Sequence, residues 1–387
     1  MINRNIPKIR FKEFINNWNN YKLGQLGKFK SGIGFPDSQQ GGTEGIPFFK
    51  VSDMNNIGNE TEMRNANNYV TQEQIMKNSW KVIDETPAII FAKVGAALML
   101  NRKRLVTRPF LIDNNTMSYS FDESWDKDFG LTLFQTINLP KYAQIGALPS
   151  YNASDIAMIK VNVPNVQEQS AIGSLFHTLD DLLASYKDNL ANYQSLKTTM
   201  LSKMFPKTGH TVPEIRLDGF EGEWKEKEFS KLVKRVTQSS DSDSLPKVEF
   251  EDIISGQGKL NKDISTKFDN RKGIHFKPGY TLYGKLRPYL NNWLLPKFEG
   301  VALGDFWVFD PNGNDSNFIY YLVQSNRYQK VANDTSGTKM PRSDWKSVST
   351  TIFAIPQTIA EQQAIGAYFS NLDNLINSYQ DLSLIHI

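Results

Sequence analysis

Cysteine is absent from the chain, which removes disulfides, thiolate zinc sites, iron–sulfur clusters and a cysteine nucleophile together. Histidine is scarce. His177, His210, His275 and His386 are scattered without ligand spacing, so no metal site is expected. No apolar run approaches the roughly 18 residues that span a bilayer, and the N-terminal MINRNIPKIRF lacks an apolar h-region, so the chain reads as cytoplasmic, with neither anchor nor secretion signal. Excess charge is small as well. At +3 the chain is far from an overtly basic, histone-like binder, so any anion-binding surface must come from clustering.

What is present is a folded chain written twice. At 387 residues, with 40% hydrophobic and 22% charged residues, two globules are expected rather than one core. IPKIRFKEFINNWNNYKLGQL (from Ile6) returns as VPEIRLDGFEGEWKEKEFSKL (from Val212), with Pro7, Ile9, Arg10, Phe14 and Trp18 matched by Pro213, Ile215, Arg216, Phe220 and Trp224. PAIIFAKVGAAL (from Pro87) has a weaker echo in GYTLYGKLRPYL (from Gly279), aligning Phe91 with Tyr283 and Lys93 with Lys285. Ser154-Asp155 precedes Val163-Pro164 and a helix, as Ser343-Asp344 precedes Ile355-Pro356 and its helix. Short apolar runs such as AIIFAKV, YTLYGKL and FWVFD, set between Gly, Pro, Asn and Asp clusters, predict mixed α+β regions at about 20–165 and 226–355. Between them, Pro206 ends a helix and opens a Pro- and Gly-rich linker.

The most alike segments are two helices, EQSAIGSLFHTLDDLLASY from Glu168 and EQQAIGAYFSNLDNLINSY from Glu361. In the first, Ile172, Phe176, Leu179, Leu183, Tyr186 and Leu190 form a heptad seam that is broken at Lys197. In the second, Ile365, Phe369, Leu372, Ile376 and Tyr379 repeat it, but the next seam positions are Ser383 and His386. One such helix reads as an ordinary amphipathic helix on its own domain. Two matched ones favour an antiparallel coiled coil that relates the halves by a pseudo-twofold axis, with a rod of roughly 55 Å between the globules. The loss of the seam and the short tail suggest truncation or a frameshift, leaving the first helix partly unpaired beyond about Leu190 and one docking site weakened.

This organisation resembles the specificity subunit of Type I restriction-modification enzymes. The resemblance covers essentially the whole chain and is carried by the repeated P-IR---F---W element, by FAKVGAALMLNRKRL and LYGKLRPYLNNWLLPKFEGVALGDFWVF, and above all by VPNVQEQSAIGSLFHTLDDLL and IPQTIAEQQAIGAYFSNLDNLI. It implies a first target-recognition domain at 1–165, a spacer helix at 166–205, a linker and second recognition domain at 206–355, and a second helix at 356–387. It also implies a non-catalytic protein without a cofactor of its own. Each domain then reads half of a bipartite site on double-stranded DNA. The helices set the gap and dock two modification subunits that carry S-adenosylmethionine, and motor-nuclease subunits complete the complex.

Candidate DNA contacts are the cationic and polar loops, because holding a duplex needs cations on phosphates and reading it needs donors and acceptors at base edges. In the first half these are Lys28, Lys30 and Ser31; Lys93; Asn101, Arg102, Lys103, Arg104 and Arg108; and Ser150, Tyr151 and Asn152. In the second they are Arg271 and Lys272; Lys285, Arg287 and Tyr289; and Lys339, Arg342 and Ser343. The alternative reading of the Asn101–Arg108 stretch is a solvated turn. Tyr283, Tyr289 and Trp293 are candidates for stacking on bases, or else core aromatics. Self-contained DNA methylation is not supported. The chain has no [DNS]-P-P-[YFW] loop, and KVGAALM lacks the G-x-G of a cofactor loop. Asp37 and Glu44 lack the spacing of a Mg²⁺ nuclease site. The remaining alternative is a coiled-coil scaffold for two protein partners, without DNA specificity.

Overall fold

A computed structural model describes residues 7–144, 148–265, 270–335 and 340–384, with the side chains of 382–384 outside the description. The chain forms two compact units, Met1–Leu183 and Ala184–Ile387.

The first unit runs β1 (Asn19–Lys22), β2 (Gly27–Ser31), β3 (Ile46–Phe49), β4 (Tyr69–Val70), α1 (Gln72–Lys77), β5 (Ala88–Ala92), β6 (Lys103–Val106), β7 (Leu111–Ile112), β8 (Thr116–Phe121), α2 (Lys127–Thr136), α3 (Ala153–Ala157), β9 (Lys160–Val163) and the start of α4 (Val166–Lys203). Its main sheet has the order β2-β8-β5-β6, all antiparallel, beside a sheet β4-β3-β7 and the pair β1-β9. Period-two alternation sorts the side chains of this sheet. Phe29, Tyr119, Ile89 and Leu105 stand in register on one face, above a core completed by Phe129 and Phe134 of α2. Ala88, Ile90 and Val106 face the opposite way, into a second cluster with Phe49 and Phe110. The apolar run AIIFA is buried at every position because β5 is a central strand covered on both faces.

The second unit follows the same plan: β10 (Lys225–Glu228), α5 (Phe229–Leu232), β11 (Lys234–Val236), β12 (Ser239–Ser240), β13 (Lys247–Val248), β14 (Ile253–Ile254), β15 (Lys259–Leu260), β16 (Gly273–Phe276), β17 (Thr281–Gly284), β18 (Trp293–Leu294), β19 (Gly300–Ala302), β20 (Phe306–Asp310), α6 (Ser316–Leu322), α7 (Asn326–Ala332), α8 (Trp345–Thr350), β21 (Ile352–Ile355) and α9 (Ile359–Leu384). The order β11-β20-β17-β18 matches β2-β8-β5-β6, and the pair β10-β21 matches β1-β9. Tyr283, Trp293 and Trp307 share one face and the larger core, whereas Leu282, Leu294 and Val308 occupy the other.

The two repeated sequence elements meet each other inside each unit. Arg10 donates from Nε and Nη2 to the carboxylate of Glu168 at 2.5 and 2.6 Å, and the Trp18 indole donates to Glu168 Oε1 at 3.1 Å. Arg216, Trp224 and Glu361 repeat this at 2.7, 2.9 and 3.0 Å. Next along each helix, the carbonyl oxygens of the Gln169 and Gln362 side chains each accept at 2.9 Å from the backbone N–H that starts α2 or α6, at Asp126 and Asp315. A turn later, Gly173 and Gly366 let those same helix starts approach closely: a Cβ at Gly173 would lie 2.5 Å from Asp126 Oδ1, and one at Gly366 2.8 Å from Asp315 Oδ1. The Glu-Gln-x-x-Ile-Gly signature is thus a clamp between each long helix and its globule.

Within the second unit the later part of α4 packs on α9. Tyr186 and Tyr193 both contact the Tyr379 ring, with centroids 5.4 Å apart, and Lys197 Nζ lies 2.7 Å from Asp373 Oδ1. Positions that rise along α4 meet positions that fall along α9, so the pair is antiparallel. Lys197, the break in the apolar seam, carries its ion pair. Met204 and Phe205 join Ile365 and Phe369 in the core, so the stretch beyond Leu190, expected to be unpaired, is the paired one. The reason is direction: an antiparallel partner lays its beginning against the end of α4. Leu372 and Ile376 are buried as well, while Leu190 is half-buried. The earlier seam residues behave differently. Ile172 packs on the first unit's core, Leu183 is half-buried, and Phe176 and Leu179 are 43% and 39% exposed. His386 lies outside the described residues.

Candidate nucleic-acid interface

At one end of each main sheet three loops are tied together by matching backbone hydrogen bonds. After β5, the Lys93 N–H donates to Asn115 O at 2.9 Å, the Gly95 N–H to Pro149 O at 2.9 Å, and the Tyr151 N–H to Lys93 O at 3.2 Å. After β17, the Lys285 N–H donates to Asp305 O at 2.9 Å, the Arg287 N–H to Pro341 O at 2.7 Å, and the Ser343 N–H to Lys285 O at 2.9 Å. These bonds pair Pro149-Ser150-Tyr151-Asn152 with Pro341-Arg342-Ser343-Asp344. The sequence alignment of Ser154-Asp155 with Ser343-Asp344 is therefore corrected by three positions. Asn152 and Asp344 are the residues that precede α3 and α8, and Asp344 caps α8 by accepting from the Ser347 N–H at 2.7 Å. Either side chain suits a helix start, which hides the equivalence in the letters.

The scaffold repeats but its side chains differ. Gly95 has φ 80, and the residue in its place, Arg287, has φ 46. A left-handed backbone costs a non-glycine residue roughly 1 kcal/mol or more. Asn101 and Asn291, at φ 53 and 54, end the two short turns that follow. Ser150 is replaced by Arg342, and Asn115 by Asp305. Arg342 grips Asp305 with Nε at 3.2 Å and Nη2 at 2.9 Å, and Lys285 Nζ lies 3.7 Å from the same carboxylate. Hydrogen bonding to Arg342 holds the Asp305 carboxyl below its usual range.

In the first unit Ser31, Lys93, Asn115, Ser150 and Asn152 line one open depression of about 350 Å³. Four sequence candidates from three separate stretches, Ser31, Lys93, Ser150 and Asn152, are thereby brought together. Lys28 is exposed on the edge strand β2, and Lys30 beside it pairs with Glu85. The cationic run 101–108 makes contacts within its own unit. Asn101 accepts from the Leu139 N–H at 3.1 Å, Arg102 binds the Asn55 side chain, Arg104 donates weakly to Met54 O at 3.4 Å, and Arg108 donates to Arg64 O at 2.8 Å, so these side chains tie β6 and its flanks to neighbouring loops. Lys103 is fully buried, donates to Ile137 O at 2.6 Å, and is pushed down to about 8 by desolvation. Its place on β6 sends it to the core face, opposite Arg104. Tyr151 is also buried, with its hydroxyl on Ala92 O.

In the second unit Lys285, Arg287, Tyr289 and Arg342 share the loop set. Arg287 and Arg342 are exposed and Tyr289 is 58% exposed, while Ser343 is buried and donates to Ala332 O at 2.7 Å. Arg271, paired with Glu249, and Lys272 are exposed just before β16. Lys339 lies outside the described residues. Of the aromatics considered for stacking, Tyr283 and Trp293 are core. Among the described residues no group of three or more His, Asp or Glu side chains is placed to hold a metal ion, and no helix is long and apolar enough to cross a membrane.

Sequence reasoning missed the clamps and the Gly95/Arg287 position. The clamps had a signal, since both partners lie in the repeated motifs; the backbone angle at Arg287 had none.

Two α+β units with one loop scaffold and different side chains upon it define an internally duplicated recognition protein. The model of the Type I restriction modification DNA specificity domain matches residues 15–192 and 254–383, and the chain belongs to that family, the non-catalytic component that gives a Type I restriction-modification system its DNA specificity. No curated protein matches the chain. Among solved structures, the S subunit of the Type I restriction-modification system from M. genitalium is 14% identical, with 97% of this chain and 94% of that one covered and a TM-score of 0.59. A structure described as showing complex assembly and conformational transition of the type I R-M system is 13% identical, with 95% and 93% covered and a TM-score of 0.52. The HsdS subunit from Thermoanaerobacter tengcongensis is 12% identical, with 95% and 91% covered and a TM-score of 0.47. At these identities the first two likenesses are ones of fold.

Proposed function

We propose that each unit reads one half of a bipartite DNA target through its three-loop set, in a complex with two modification subunits that carry S-adenosylmethionine and with motor-nuclease subunits in the restriction form. The helices set the gap between half-sites and dock the modification subunits, and the complex works in the cytoplasm. The observation that carries this reading is the repetition of one hydrogen-bonded scaffold with exchanged side chains. Gly95, Asn115 and Ser150 in the first unit stand where Arg287, Asp305 and Arg342 stand in the second. Two reading heads of one design with different donors suit two different half-sites. A left-handed arginine where glycine would be unstrained also supports retention of that side chain for contact.

On this reading Lys28, Ser31, Lys93, Ser150, Asn152, Lys272, Lys285, Arg287 and Arg342 face DNA, whereas Lys103, Tyr151 and Ser343 support the loops from inside. The test is to express the chain with its modification subunit, sequence the methylated positions, and then graft Arg342 and its flanks into the Ser150 loop. A change confined to one half of the methylated motif is expected. Changes in both halves, or none, would refute modular reading.

A further inference from the structure

The loop sets carry a second shared feature that cation readout does not use. Leu148 is 62% exposed and Met340 is 48% exposed, and each immediately precedes the proline whose carbonyl accepts from the Gly95 or Arg287 N–H. Beside them, the turn Ala96–Leu100 exposes Met99 and Leu100 at 59% and 58%, and the turn Pro288–Leu290 exposes Tyr289 at 58%. Isolated exposed apolar residues need no explanation, but a large one at the same position of both units, with apolar neighbours and a rim of Lys93, or of Lys285, Arg287 and Arg342, is not scatter. The backbone is tied down on the side that follows each of these residues. Proline fixes φ on one side, and the residue three beyond Leu148 or Met340, Tyr151 or Ser343, donates its N–H to the lysine carbonyl. In the first unit the Leu148 side chain lies over Gly95, where a Cβ would sit 3.7 Å from Leu148 Cδ1.

An apolar centre inside a cationic rim matches a duplex, with phosphates at the edge and stacked bases within. Leucine and methionine are among the side chains that press between base pairs. We infer that Leu148 and Met340 are equivalent wedges, each unstacking one base step in its own half of the target, flanked by Met99 and Leu100 in one unit and by Tyr289 in the other. This inference rests on the reading that the loop sets lie on DNA.

The test uses the full chain purified with its modification subunits and duplexes of the methylated target that carry 2-aminopurine at successive steps. Binding is expected to raise fluorescence at one step per half, away from the methylated adenine. Leu148→Ala should abolish the rise in the first half only and Met340→Ala in the second only, each with affinity lower by roughly 10-fold. Leu148→Met should retain both rise and affinity. Wild-type binding without a rise at any such step, or alanine variants with unchanged fluorescence and affinity, would overturn the wedge while leaving loop readout intact. Unchanged affinity in Arg287→Ala and Arg342→Ala would instead overturn the reading beneath it.

Discussion

Arg287 and Lys103 show how far a residue's type can mislead about its task. Arg287 occupies a backbone conformation that glycine adopts freely and arginine does not, so stability and function pull against each other there. Arg287→Gly is expected to leave thermal stability equal or raised by up to about 1 kcal/mol, and to weaken DNA binding by about 1–3 kcal/mol if a specific contact is lost. Melting curves and binding isotherms read the two signs separately. Lys103 belongs to a cationic run yet lies wholly inside, hydrogen-bonded once. Its ammonium loses its proton at about 8 in the folded chain, against 10.5 ordinarily. Between those values the unfolded chain holds more protons, so stability rises with pH across the window, and below it the cost of the buried charge is paid in full. Lys103→Met removes this dependence. Its melting temperature relative to wild type should be highest near pH 7 and should lose ground as pH approaches 10. A constant difference across that range would place Lys103 in water.

At the scale of elements, the clamp decides how each long helix leaves its globule. Glu361 is buried, pairs with Arg216 and accepts from the Trp224 indole, so Glu361→Ala leaves two donors unpaired. Breaking a buried pair from one side costs about 3–5 kcal/mol, and differential scanning calorimetry of the purified complex should show a loss of that order. The helical glycines offer a sharper case. In an open helix Gly→Ala stabilises by about 1 kcal/mol. At Gly173 and Gly366, however, the added methyl group meets the start of α2 or α6, so Gly173→Ala and Gly366→Ala are expected to destabilise. Stabilisation would show that the helix and its partner can part without cost.

For the whole molecule, the proposed role makes helix length a ruler. One heptad inserted into α4 between Leu175 and Leu182, a stretch that is largely exposed, adds about 10 Å at 1.5 Å per residue. That is close to three base pairs at about 3.4 Å each. Sequencing of methylated positions should show both half-sites unchanged and a spacer longer by about three base pairs. An unchanged spacer would separate helix length from target geometry.

Much of this was open to inspection in the letters alone. Duplication, the α+β character and the two long helices follow from repeated motifs and apolar periodicity, because those are local properties of a chain. Which repeats touch, which half of α4 is paired, and which cations face inward were not legible, since they depend on strand register, helix direction and contacts between distant residues. Lys103 and Arg104 are neighbours in sequence and lie on opposite faces of one strand. Gly95 and Arg287 differ completely as residues and hold the same place in two folds. Sequence alone determined that there are two units of one kind; only the packed structure decided which side chains each unit can present, because burial and hydrogen bonding, not residue type, set what remains exposed.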